Sequence, residues 1–117
     1  MYRDEMMQRT RDFALRVVRL WQALPQRGDA AVLGKQLLRC GTSVGANYRA
    51  ACHAKSRADF AAKLKISEEE ADECEYWMDL LVAAEIVPEP RLAALRTEAH
   101  EIASMLTAAT RRMKFEV

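Results

Sequence analysis

The stretch Leu37 to Arg49 constrains this chain more than any other. It places two glycines four residues apart, Gly41 and Gly45, inside an apolar repeat of Leu33, Leu37, Cys40, Val44, Tyr48 and Ala51. That repeat has the spacing of one helix face. A glycine in a helix interior costs about 1 kcal/mol relative to alanine, so a pair of them needs a compensating contact. A turn would be marked by proline or a cluster of turn formers, yet the apolar spacing runs through both glycines without a slip. The segment is therefore read as a continuous helix whose small residues let another helix come close.

The same residues, Gly41-Thr42-Ser43-Val44-Gly45, match the G-x-S-x-G pattern of a hydrolase nucleophile elbow. That chemistry needs a strand before the serine and a large sheet to bring up an acid and a histidine. Gly34 to Arg39 has neither alternation nor β-branched residues, and 117 residues are too few for such a scaffold, although Asp79 and His100 follow in a permissible order. The pattern is expected to serve packing, and no catalytic residue is assigned.

Four amphipathic segments account for the rest of the chain. Met6, Thr10, Phe13, Val17, Leu20 and Leu24 stripe a first helix over about 4–24, and Pro25 to Gly28 ends it. Asp29 is a natural N-cap for a second helix over about 29–55. Ser56, with Asp59 three residues on, resembles a capping box and opens a third helix over about 57–85. Its stripe of Phe60, Leu64, Ser67, Ala71, Cys74, Met78 and Leu81 is the most regular in the chain. Pro88 and Pro90 suit the start of a fourth helix over about 89–114, striped by Leu92, Leu95, Ala99, Ile102, Leu106, Ala109 and Met113. Short connections make neighbouring helices antiparallel. The expected fold is all-α, an up-down-up-down four-helix bundle occupying residues 1–117 as one domain.

Helix 3 carries a second stripe of Ile66, Glu70, Glu73, Trp77 and Leu80. One buried face per helix is enough for a monomeric bundle, so this face suggests a sister subunit. Its acids would require partners, and Arg39, Ser43, Asn47 and Arg49 on helix 2 are the candidates. Alternatively, Glu70 and Glu73 border solvent. Charge is unevenly spread: +3 over residues 1–27, +4 over 28–57, −7 over 58–87 and +1 over 88–117. Pairing of helices within one bundle explains this distribution as readily as a polyanion partner does. Arg9, Arg16 and Arg19 share one sector of helix 1, either as a solvated face or as a phosphate-binding strip.

Other chemistry is missing from the pattern. The residues three before His53 and His100 are Ala50 and Thr97, so the Glu-x-x-His pairs of a di-iron bundle are absent. Cys52 and His53 diverge by about 100° on a helix and make a poor zinc pair. Cys40, Cys52 and Cys74 read as reduced thiols packed as small hydrophobes. Trp21 and Trp77, with Tyr48 and Tyr76, read as packing residues before base-stacking ones. No cofactor, metal, membrane segment or small-molecule substrate is expected, and the acidic start of the chain favours a cytoplasmic protein.

Three blocks carry a family resemblance: Gln36 to Ala50; Lys55 to Phe60 with Lys63 to Ile66; and Glu70 to Glu73 with Glu75 to Leu81. In order and spacing they resemble the bacterial four-helix-bundle proteins, also called intervening-sequence proteins after reading frames in inserts of 23S ribosomal RNA genes. The resemblance spans about residues 9 to 113. Cys40 stands where serine or alanine is commoner, and Ser67-Glu68 replaces a more apolar pair. The family is similar to the accessory protein of diversity-generating retroelements, which implies a homopentamer able to bind nucleic acid or a nucleic-acid enzyme. On that basis the chain is expected to be a non-enzymatic RNA- or nucleoprotein-binding accessory, with a protein-binding scaffold as the alternative. Arg9, Arg16, Arg19 and Lys35 would contact phosphates. Arg39, Gly41, Ser43, Gly45, Asn47, Arg49, Glu70, Glu73 and Trp77 would organise helix and subunit contacts.

Overall fold

The computed structural model describes residues 2–115, with side chains through Met113. Four helices fill it: α1 (Tyr2–Ala23), α2 (Gly28–Cys52), α3 (Arg57–Ala83) and α4 (Glu89–Phe115). They form an antiparallel bundle of 45 × 21 × 21 Å. The expected stripes are the buried ones. Met6, Phe13 and Val17 of α1 meet Leu37, Cys40 and Val44 of α2, Leu64, Cys74 and Met78 of α3, and Leu92, Ile102 and Leu106 of α4 in one core. The Cys40 and Cys74 thiols lie fully buried with their sulfurs 3.3 Å apart, reduced and packed as small hydrophobes. Burial and the neighbouring thiol hold the Cys74 pKa well above its usual value, the hydrogen bond to Cys40 contributing most.

α2 runs through the glycines without a break, and α1 is what approaches them. A Cβ on Gly41 would lie 2.8 Å from Val17 Cγ1, one on Gly34 2.9 Å from Leu24 Cδ1, and one on Gly45 3.1 Å from Thr10 Oγ1. The glycines thus seat α1 of the same chain, a close approach that a side chain would block. On the other flank of α2, the buried Ser67 hydroxyl donates to the Val44 carbonyl at 2.7 Å. Ser67 and Glu68 therefore both have partners: Glu68 is paired with Lys65 at 3.0 Å and faces Thr107 and Thr110 of α4.

The helix ends correct several expectations. α2 begins at Gly28, at φ +66°, with Arg27 as an N-cap that makes no side-chain bond. Asp29 sits one position inside, accepting from the Ala30 N–H at 2.9 Å. At its other end α2 stops at Cys52, three residues short of the expected boundary, where the His53 ring takes up the Arg49 carbonyl and the Ala54 N–H bonds to Ala51. Ser56 caps α3 as expected, accepting from the Asp59 N–H at 3.0 Å. α3 closes two residues early, in a Schellman motif: Ile86 N–H bonds to Leu81 O at 3.0 Å and Glu85 N–H to Val82 O at 3.0 Å. Glu85 itself takes the left-handed position, φ 60°, that usually belongs to glycine. Met1, Glu116 and Val117, which the expected domain includes, lie outside the described residues, as does the Lys114 side chain.

Candidate nucleic-acid interface

The α1–α4 seam is the loosest of the four helix pairings, and charged side chains decide what happens along it. Near one end, Arg9 forks onto α4. Its Nη2 lies 2.7 Å from Glu98 Oε1 and 2.9 Å from Glu101 Oε1, while Nε donates to Glu98 Oε2 at 3.1 Å. These hydrogen bonds, Glu98 first, push the guanidinium pKa above its ordinary value. A bidentate pair of this kind is both oriented and partly shielded from solvent. Arg9 is thus engaged in closing the bundle, and a phosphate contact would have to compete with these two carboxylates. The sequence carried no sign of this, because Glu98 and Glu101 come within reach only when α4 packs beside α1.

Further along the seam the pattern reverses. Arg16 and Arg19 are exposed on α1, and Arg91 projects from the first turn of α4 into the same cavity of about 270 Å³. Leu20, Leu92 and Leu95 form its buried floor. None of the three arginines makes an ion pair or side-chain hydrogen bond among the described residues. Arg91 was not among the sequence candidates, and its place opposite Arg16 and Arg19 is a product of helix packing alone. Lys35 is exposed next to Gly34, which packs on Leu24, so it belongs to the same end of the bundle as Arg19.

The second face of α3 finds its principal partner within the chain. Arg39 Nη1 lies 3.0 Å from Glu70 Oε2, its Nη2 pairs with Glu73, and the Trp77 indole N–H donates to the same Glu73 oxygen at 2.9 Å. Burial lowers and the two carboxylate charges raise the Arg39 pKa, and the charges prevail. The other proposed partners do not reach these acids. Asn47 donates to the Ser43 carbonyl at 2.9 Å along its own helix. Arg49 lines a groove of about 570 Å³ between α1 and α2, because ten residues from Arg39 rotate it by roughly 80° around the α2 axis. Ile66 and Tyr76 of α3 and Val32 of α2 remain exposed.

Ser43 lies inside α2, so the strand and sharp turn of a nucleophile elbow are absent around it. The histidines are where a surface role puts them, His53 capping α2 and His100 exposed, 3.2 Å from Glu75. Among the described residues no three His, Cys, Asp or Glu side chains are grouped to hold a metal ion, and no helix is long and apolar enough to cross a membrane.

A family model described as "23S rRNA-intervening sequence protein" matches residues 3–108. Among solved structures, the chain is similar to a protein of unknown function from the S23 ribosomal protein family of Bacteroides thetaiotaomicron. The two are 37% identical, the match covers 95% of this chain and 99% of that one, and the TM-score is 0.88. No curated protein matches the chain.

Proposed function

The chain belongs to the 23S rRNA-intervening sequence protein family, and from that premise we propose that it is a non-enzymatic, self-associating accessory that binds RNA or a ribonucleoprotein in the cytoplasm. The observation that carries this reading is the pair Arg16 and Arg19, exposed on α1 and without an ion pair among the described residues, while Glu70 and Glu73 of α3 are engaged with Arg39 and Glu68 with Lys65. Unneutralised guanidinium groups on a helix face suit phosphate oxygens. Lys35 at the same end would extend the contact. The family name itself is tied to ribosomal RNA, which makes RNA the polyanion of first choice.

Self-association is part of the same proposal. The exposed apolar residues Ile66, Tyr76 and Val32 favour a second copy of the chain on the α2–α3 face. The resemblance to the retroelement accessory protein, read from the sequence blocks alone, would make five the expected number of subunits.

Native mass spectrometry at low salt, followed by RNA titration at increasing salt, tests both parts. A pentamer whose RNA affinity falls steeply with salt is the expected result. Arg16→Glu with Arg19→Glu should remove most of the binding, while Arg9→Ala should spare it and only lower stability. A pentamer without RNA affinity at any salt would favour the protein-binding scaffold, and a monomer would sink the self-association.

A further inference from the structure

Arg16, Arg19 and Arg91 line one cavity, and no acid lines it. Two helices that must pack beside each other gain nothing from like charges across their seam; an acid at position 91 would have paired with α1 as Glu98 and Glu101 do. The α4 carboxylates that face α1 further along the seam are engaged elsewhere. Glu98, two turns along α4 from Arg91, and Glu101 are bound to Arg9. The cavity therefore keeps a net positive field, over a floor of Leu20, Leu92 and Leu95 that excludes water from one side. Cations above a low-dielectric wall focus their field on an incoming anion. Guanidinium forks match phosphate oxygens in geometry and shed water readily.

We propose that the Arg16–Arg19–Arg91 cavity is a phosphate-binding site of this protein, with Arg91 of α4 as the residue that turns two surface arginines of α1 into a pocket. The inference rests on the RNA-binding reading for the source of the phosphate, which is either a backbone diester or a 5′-terminal monophosphate. A monoester carries close to two charges at neutral pH and would draw on all three arginines. A diester would pass across the cavity with one.

The full chain, as wild type, Arg91→Ala and Arg91→Lys, is titrated by fluorescence anisotropy with a short single-stranded RNA bearing either a 5′-phosphate or a 5′-hydroxyl, over a range of salt. Inorganic pyrophosphate is titrated separately by calorimetry. Arg91→Ala should weaken RNA binding by about tenfold and lower the salt slope by about one, with helicity unchanged. Arg91→Lys should recover part of the loss. A loss confined to the 5′-phosphorylated RNA assigns the terminal monophosphate, and an equal loss on both RNAs assigns the backbone; either supports the site. Arg91→Ala that binds both RNAs like wild type, while the Arg16→Glu, Arg19→Glu variant fails to, overturns the cavity and leaves RNA binding standing. If wild type binds neither RNA, the RNA reading fails, and pyrophosphate decides the cavity. Heat that Arg91→Ala abolishes sustains it, and absence of heat overturns it.

Discussion

Replacing Gly41 by alanine pits two effects of similar size against each other. In an open helix the substitution should stabilise by about 1 kcal/mol, since glycine is the costlier helix residue. Here the new Cβ would lie 2.8 and 2.9 Å from the two Val17 methyls and 3.1 Å from Val17 Cβ, well inside the ~3.5 Å at which carbon atoms attract. Val17 is fully buried and β-branched, with one favoured rotamer in a helix. Rotating its methyls cannot relieve a clash that includes its own Cβ, so the α1 backbone must shift. Overpacking of that kind costs about 1–3 kcal/mol. At the upper part of that range it outweighs the propensity gain and leaves a net loss of about 1–2 kcal/mol. Urea unfolding followed by far-UV circular dichroism measures it. The Val17→Ala background supplies the control: with the methyls gone, Gly41→Ala should cost less than in wild type, and the cycle should return a coupling of at least about 1 kcal/mol. A single Gly41→Ala variant more stable than wild type would refute the close approach of α1 and α2.

Two further outcomes follow from local geometry. Glu85→Gly should stabilise the protein by about 0.5–1 kcal/mol, the left-handed strain at φ 60° being relieved in part against the added freedom of the unfolded chain. An unchanged or lowered urea midpoint would show that the Glu85 side chain contributes more than its backbone costs. At Glu68, burial raises the pKa, but hydrogen bonds from Thr107, Lys65 and Thr110 with the Lys65 charge outweigh it, and the carboxyl titrates below its ordinary value. A depressed folded pKa means stability present above the unfolded value, near pH 4.3, and lost as pH falls through the lower folded value. Glu68→Gln should therefore reduce stability at pH 6 and lose less than wild type on going to pH 3; parallel acid profiles for the two proteins would refute that linkage.

How far each feature could be read from the chain depends on how local its cause is. The four helices, the core stripes and the Ser56 cap were legible because side-chain periodicity and capping act within a few turns of one segment. The boundaries at Cys52 and Ala83 were not. One depends on a histidine ring reaching back to Arg49, the other on a glutamate accepting a glycine's conformation. Arg39 was correctly placed against Glu70 and Glu73, whose angular positions face α2. Arg49 and Asn47 were misdirected, because a few residues of offset rotate a side chain around the helix to another neighbour.

By itself, then, the sequence determined that this chain forms four amphipathic helices and which face of each is buried, since hydrophobic periodicity is a property of the segment that carries it. Tertiary structure alone decided which of the α1 arginines are neutralised. Arg9, Arg16 and Arg19 share a sector of α1, yet one meets two carboxylates and the others meet a third arginine. Coulomb interactions depend on the distance between helices far apart in the chain, and that distance is set only when α4 closes on α1.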